Sequence, residues 1–320
     1  MRRDDFITAH RPLWTELEEL LDSLEAGRDP EAAQRLPSVY RRVCQTLSLA
    51  RSRGYGRELV DELNELVLRG YHQLYGRRVL VPAEWLRYAL VGVIRQLRKD
   101  RTLFVVSMLL FFGPFVGTML AVQVWPELAF AIVGPEQLAQ MEDMHATGSP
   151  RSGRESDSDL AMFGFYIRNN VGIGFRTFAG GALFGLGSLF FLLFNGLFLG
   201  AAIGHVMAIG HGDQFWEFGI SHGSFELTAI GLAGYCGLKI GFALLSPGRW
   251  TRARAMYEAA REAMPVVWVT FGMLTIAAFI EAFWSASGVP APIKYGVGAL
   301  LCGTVIAYLG RALVGPRPQG

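Results

Sequence analysis

The run LFVVSMLLFFGPFVGTMLAVQVW, residues Leu103–Trp125, decides the fold class, because its 23 residues include no charged side chain. An α-helix rises about 1.5 Å per residue, so the run can cross the roughly 30 Å of hydrocarbon in a bilayer. Further apolar runs lie at about 171–210, 225–245, 265–284 and 293–314. We therefore predict an all-α, polytopic membrane bundle.

The first third of the chain has a different composition. Residues 1–101 hold 18 of the 30 Lys and Arg and 15 of the 28 Asp and Glu. Apolar residues recur there at helical spacing, as in Leu13, Leu17, Leu20, Leu21 and Leu24. These patterns predict a small N-terminal helical domain at 1–100, a transmembrane domain at 101–315 and a short tail at 316–320.

A fourth amphipathic helix, from Trp85 to Leu97, precedes the first apolar run. Its polar face carries Arg87, Arg95 and Arg98, which suits a helix that lies on an anionic membrane surface. Packing against the rest of the protein explains the same pattern equally well. Both interpretations stay open.

Loop charges predict the orientation, because cytoplasmic loops of membrane proteins are enriched in Lys and Arg. Residues 77–101 hold seven basic and two acidic residues, and the loop 246–264 carries four arginines. The segment 126–160 holds two basic and seven acidic residues, and its part 148–159 has a composition typical of flexible chain. We expect the first two regions in the cytoplasm and the acidic loop outside a bacterial inner membrane.

The number of membrane passages depends on the long run 171–210. With this orientation it must begin and end outside, as two crossings or as one re-entrant hairpin, with Asn195-Gly196 as the natural turn. About six passages with both termini in the cytoplasm is the prediction, and five is the alternative. Residues 1–30 contain no apolar core of a cleavable signal, so the first apolar run is expected to direct insertion.

Ionisable residues within apolar segments are costly and are candidate functional residues. His222 and Glu226 are four residues apart and share a helical face. They suit a metal or acid–base pair, or a structural hydrogen-bond site. Glu281 lies near the same predicted face, where it meets His222 or Glu226 or extends to the surface. His205 and His211, together with Glu217, are weaker metal candidates, and as loop residues the histidines would be solvated.

Amide and glycine residues in the apolar runs indicate helix packing. Asn169, Asn170 and Asn195 can bridge helices or satisfy backbone at a helix break, and Lys239 can reach the inner interface or line an ion pathway. Small residues at four-residue spacing permit close helix contact. Such glycines are Gly181, Gly185, Gly196, Gly200, Gly204, Gly237 and Gly241.

We find no Walker A loop, dinucleotide fingerprint or HExxH in the sequence. The three cysteines form no CxxC pair. We expect no cofactor and no nucleic-acid partner, and an enzyme is the less favoured class.

Several of these residues occur together in a known family. Asn169-Asn170, Gly180-Gly181, Asn195-Gly196, HGSFELTAI at 222–230 and AAFIEAF at 277–283 resemble the stage II sporulation protein M (SpoIIM) family over roughly residues 100–315. The N-terminal region is similar to that of the longer, non-sporulating branch. Ser221 departs from the pattern, which has proline before the histidine.

The resemblance implies a membrane scaffold rather than a hydrolase. Partners expected from the longer branch are MoxR-type ATPases and von Willebrand A-domain proteins, besides the lipid bilayer and further copies of the chain. The leading hypothesis is a non-enzymatic inner-membrane scaffold that recruits partner proteins. The alternatives are an intramembrane hydrolase or metalloprotein that uses His222, Glu226 and Glu281, and a small-solute or ion transporter that uses the same groups.

Overall fold

The computed structural model describes residues 2–26, 32–75, 82–145 and 156–316, and all regular structure in these ranges is helical. The helices are α1 (Arg3–Glu25), α2 (Ala32–Ser52), α3 (Arg57–Tyr75), α4 (Pro82–Lys99), α5 (Arg101–Val124), α6 (Glu127–Ile132), α7 (Pro135–His145), α8 (Ser156–Ala179), α9 (Leu186–Ala208), α10 (Gly212–Leu245), α11 (Arg252–Phe279) and α12 (Ala291–Gly310). A 3₁₀ turn, Gly180–Ala182, follows α8, and a π turn, Ile280–Ser285, follows α11.

The chain divides into two compact units, Met1–Val81 and Pro82–Gly320. In the first unit, α1, α2 and α3 enclose their own apolar core. Trp14 is buried in it, and its indole Nε1 donates to Thr46 Oγ1 at 3.0 Å. The leucine stripe on α1 supplies Leu17, Leu20 and Leu21 to this core. Leu36 and Val43 of α2 and Leu63 of α3 are buried in the same core.

Among the described residues of the second unit, five helices are long and apolar enough to cross a membrane: α5, α9, α10, α11 continued by the π turn, and α12. Of these, α10 is the most buried, and it contacts α5, α8, α9, α11 and α12. A helix in this position must be apolar or small on every side, and α10 buries five glycine and alanine residues between Ala229 and Gly237. We refer to its two ends as the His222 end and the Lys239 end.

The unit boundary differs from the predicted one at residue 100, because α4 belongs to the second unit. Val93 and Leu97 of α4 are fully buried in the core that α10, α11 and α12 share. A Cβ on Gly92 would lie 3.0 Å from Pro265 of α11, so the two helices approach closely there. Of the two interpretations left open for this helix, the structure shows packing against the bundle.

The turn predicted at Asn195-Gly196 is wrong, because both residues lie inside the continuous helix α9. The chain reverses instead at 180–185, where Phe184 has φ 53° and Gly185 has φ 83°. Glycine adopts positive φ without strain, and the glycines around this turn remove the side chains that would obstruct it. The run 171–210 is thus the end of α8, a short turn and α9.

Glycines set the closest helix contacts. Gly196, Gly200 and Gly204 lie against α5, where a Cβ on Gly196 would be 2.5 Å from the Phe111 carbonyl oxygen. Gly181 and Gly185 of the turn face Gly237 and Gly241 of α10. Side chains there would separate the backbones, so the glycine positions fix the distances between these helices.

Two predicted segments fall largely outside the described residues. The stretch 148–159, predicted to be flexible, is described only from Ser156, where α8 begins. The tail 316–320 is described only at residue 316.

Candidate functional site

Three ionisable residues of the apolar helices meet at the His222 end. His222 and Glu226 lie one turn apart on α10, and Glu281 lies in the π turn. One ligand atom from each residue can be chosen so that all three lie within 4.8 Å of one another. We call these three residues the His-Glu-Glu cluster.

The π turn aligns two side chains with α10. A π turn is wider than an α turn, is rare, and occurs frequently at functional sites. Here it contributes Glu281 to the cluster and places Ser285 Oγ 3.0 Å from His222 Nδ1. His222 also contacts the ring of Phe218 edge-on, with centroids 5.4 Å apart. The imidazole is 6% exposed and is held on two sides.

Next to His222, a layer of polar side chains joins α10, the π turn and α12. It consists of Glu217, Ser221, Trp284, Ser285 and Lys294. Lys294 is 4% exposed, and its Nζ donates to Glu217 Oε1 at 3.2 Å and to the Ser285 carbonyl at 3.1 Å. Trp284 Nε1 donates to Ser221 Oγ at 3.1 Å. The ammonium of Lys294 is therefore paired with Glu217 rather than with a carboxylate of the cluster.

On the other side of the cluster, α8 contributes two amides. Asn170 Nδ2 donates to Glu281 Oε2 at 3.4 Å, and Asn169 Nδ2 donates to Asn170 Oδ1 at 3.2 Å. Asn170 is buried, whereas Asn169 is exposed. The third amide, Asn195, is remote from the cluster and donates to the Phe191 carbonyl of its own helix.

The charge of the cluster is unbalanced. Among the described residues, neither Glu226 nor Glu281 has an ion-pair partner. Two charges 4.8 Å apart repel by about 3 to 4 kcal/mol even at an effective dielectric constant of about 20. Ionised carboxylates so close together, within apolar helices, require a proton or a cation between them.

Comparison with known families identifies the membrane unit. The family model for stage II sporulation protein M matches residues 103–286, which is more than half of the chain and includes all three cluster residues. The chain belongs to the SpoIIM family. A second model, a domain of unknown function (DUF8413), matches residues 4–76. No curated protein and no solved structure shows significant similarity.

This SpoIIM chain is therefore a multi-pass membrane protein with apolar helices. Its two family matches fall in the two compact units, one within Met1–Val81 and one within Pro82–Gly320. Lys294 and the rest of α12 lie beyond the SpoIIM match. The polar layer that supports the cluster is thus shared between the family region and a helix outside it.

Lys239 of α10 belongs to a second polar cluster, at the opposite end of the helix. Its Nζ lies 2.7 Å from Asp100 Oδ2 and 2.9 Å from Glu262 Oε2. Tyr235 and Gln96 also donate to Asp100 Oδ2, at 2.8 and 2.7 Å. Burial raises the pKa of Asp100, but the hydrogen bonds from Lys239, Tyr235 and Gln96 outweigh it, so the pKa is lowered from 3.8.

The weaker metal candidates do not join the His-Glu-Glu cluster. His205 is not a loop residue: it is 3% exposed in α9, and its Nε2 lies 2.7 Å from Glu142 Oε1 of α7. His211 precedes α10 as its N-cap residue, and Glu217 is paired with Lys294.

Sequence reasoning missed Ser285, Trp284 and Lys294. Lys294, a charged residue at the start of an apolar run, was the available signal for this polar layer.

Proposed function

We propose that this SpoIIM protein is a non-enzymatic assembly component of the bacterial inner membrane, whose N-terminal unit recruits a soluble protein. The proposal rests on one observation: the N-terminal unit has an apolar core of its own. The three helices α1–α3 close their own core, and the bundle has cores of its own. The first unit is therefore not needed to cover the membrane helices, and recruitment is the role that best explains it.

The arrangement of charges supports a cytoplasmic location for this unit. Arg249, Arg252, Arg254 and Arg261 lie in or next to the connection between α10 and α11, at the Lys239 end. The acidic segment 126–160 follows the far end of α5, which begins beside Asp100 at the Lys239 end. By the positive-inside rule, the Lys239 end faces the cytoplasm. The N-terminal unit precedes α4, whose Lys99 pairs with Glu262 at the same end.

The proposal includes six membrane passages, with α8 as the sixth. Asn170 of α8 contacts Glu281 at the His222 end, and Gly181, just after α8, contacts Gly237 towards the Lys239 end. Arg168 and Arg176 give α8 a lower hydropathy than the other five helices. Six passages place both termini in the cytoplasm.

The surface of α3 offers a contact for the partner. Leu68 and Tyr71 are one turn apart and are 52% and 51% exposed, whereas Leu63 and Leu66 of the same helix are buried. By family resemblance, the candidate partners are a MoxR-type ATPase and a von Willebrand A-domain protein of the same organism.

The test is co-purification of these two proteins with the full-length chain from detergent. We expect the partner to bind the wild type and the Glu65→Gln control, which alters an exposed residue of the same helix. We expect Leu68→Glu to abolish binding, because the substitution puts a charged side chain in place of an apolar one at the centre of the contact. Equal recovery with all three chains, or recovery of neither candidate with the wild type, would refute the proposal.

A further inference from the structure

We propose that the His-Glu-Glu cluster binds one divalent transition-metal ion of the Zn²⁺ class. His222, Glu226 and Glu281 supply one nitrogen and two carboxylate oxygens within 4.8 Å of one another. Zn²⁺ binds such ligands at about 2.0–2.2 Å in tetrahedral geometry, which separates ligand atoms by roughly 3.4 Å. Closing from 4.8 Å requires only small side-chain rotations.

The ligand types select among metals. An imidazole with two carboxylates suits Zn²⁺, Mn²⁺ or Fe²⁺, whereas Ca²⁺ and Mg²⁺ prefer sets made only of oxygen ligands. Three protein ligands leave the fourth tetrahedral position for water. The ion would join α10 to the π turn, a structural role that goes beyond partner recruitment by the N-terminal unit and is independent of it.

Neighbouring residues orient the ligands as such sites require. Ligating histidines usually donate their second ring nitrogen to a fixed acceptor. Nδ1 of His222 is hydrogen-bonded to Ser285 Oγ, which leaves Nε2 available for the metal. Asn170 contacts Oε2 of Glu281 and leaves Oε1 available. Ser285 is itself anchored by Lys294, which donates to its carbonyl.

The charge of the two carboxylates is an independent argument for a bound cation. Two carboxylates without an ion-pair partner among the described residues carry a formal charge of −2, which one divalent cation neutralises. Protons shared by Glu226 and Glu281 would also reduce this charge, but they would not need His222 beside them. The presence of the oriented imidazole favours the metal.

The experiment uses the full-length chain with a tag that contains no histidine, purified in detergent without chelators. After exposure to Zn²⁺ and extensive dialysis, elemental analysis is expected to find about one metal per chain. Glu226→Gln, Glu281→Gln and His222→Gln should each lose it. The matched controls are Glu136→Gln and His211→Gln, which should retain it, because these residues lie outside the cluster.

Substitution with Co²⁺ gives a second measurement that needs no variant. Visible absorption bands of tetrahedral Co²⁺, displaced by Zn²⁺ at one equivalent, are expected for the wild type. A wild-type chain that retains no metal after exposure to Zn²⁺, Mn²⁺, Fe²⁺ and Co²⁺ would overturn the proposal in favour of shared protons. Metal retained in the Glu226→Gln/Glu281→Gln double variant would overturn it in favour of an adventitious ion.

Discussion

Gly181, in the turn after α8, lies against Gly237 of α10 so closely that a Cβ built on Gly181 would be 2.6 Å from the Gly237 Cα. One turn further along α10, Gly241 has the same relationship to Gly185. In a bilayer, helices gain little from burying apolar surface and associate largely through such close packing. These two glycine pairs anchor the turn between α8 and α9 to the central helix.

Substitution of Gly237 by alanine is expected to destabilise the bundle by about 3 kcal/mol, because the methyl group would collide with backbone that cannot move aside. Its Cβ would lie 2.7 Å from the Phe178 carbonyl oxygen and 2.9 Å from that of Thr177. Thermal unfolding in detergent measures the effect. The control Gly272→Ala, with open space around its Cβ, should be neutral or stabilising by up to about 1 kcal/mol. Equal melting temperatures for the two variants would contradict the expectation.

Replacing Lys239 by methionine is expected to cost about 3 kcal/mol, because it leaves the Asp100 carboxylate without its ammonium partner. The side chains of Lys239 and Asp100 are 11% and 20% exposed. Lys99→Met is the control, since Lys99 is 44% exposed and its pair with Glu262 should contribute under about 1 kcal/mol. Chemical denaturation of both variants gives the comparison. A loss for Lys99→Met as large as that for Lys239→Met would show that burial is not the cause.

The Asp100 interaction predicts a pH dependence. Because the pKa of Asp100 is lowered from 3.8 in the folded protein, its contribution is present above the unfolded value and is lost as pH falls through the folded value. The difference in unfolding free energy between the wild type and Asp100→Asn should therefore be constant near neutrality and should decrease below pH 3.8. A difference that grows on acidification would show that the sign is wrong.

Labelling of single cysteines tests whether α8 crosses the membrane. In a background with Cys44, Cys236 and Cys302 replaced by alanine, a cysteine at Leu183 is expected to react with a membrane-impermeant maleimide only from the cytoplasmic side. A cysteine at Glu136 of α7 should react in intact cells. If the Leu183 cysteine also reacts in intact cells, α8 does not cross and the count of six is wrong.

Ser285→Ala tests the support of the proposed metal site. Loss of the hydroxyl that holds His222 Nδ1 should weaken Zn²⁺ binding about 10- to 100-fold without abolishing it. Competition with a fluorescent zinc chelator measures the affinity. Ser287→Ala, which removes only a bond to the Trp284 carbonyl, should bind as tightly as the wild type. Equal affinity for both variants would mean that Ser285 has no positioning role.

Helical periodicity and apolar length predict the helices of the first unit and the five most apolar helices of the second, because both are local properties of the chain. They do not predict α6, α7 or the start of α8, which lie in the segment expected to be an acidic loop. The five candidate spans overlap the apolar runs, and the leucine stripe of α1 lies in the core of the first unit. The spacing of His222 and Glu226 placed them on one face for the same reason. Contacts between distant segments could not be obtained in this way. The sequence alone leaves two alternatives open for Glu281 and does not relate Lys294 to the cluster.

The turn predicted at Asn195-Gly196 is wrong because this dipeptide favours turns in chain that is exposed to water. Within an apolar helix, Gly196 serves the contact with α5 instead, and Asn195 bonds the Phe191 carbonyl of its own helix. The helix α4 was assigned to the N-terminal domain from its charges, although its apolar face packs on α11. An amphipathic pattern shows that a face is buried, but not what it is buried against.

The π turn makes the alignment of Ser285 with His222 depend on backbone geometry as well as on residue identity. Its hydrogen bonds span five residues rather than four, so it accommodates one residue more than a regular turn would. If the same residues continued the helix at 3.6 residues per turn, Ser285 would be rotated by about 100° relative to the residues before the turn. Any change that let this turn close as a regular α-helix would thus lose the alignment while keeping every side chain that defines it.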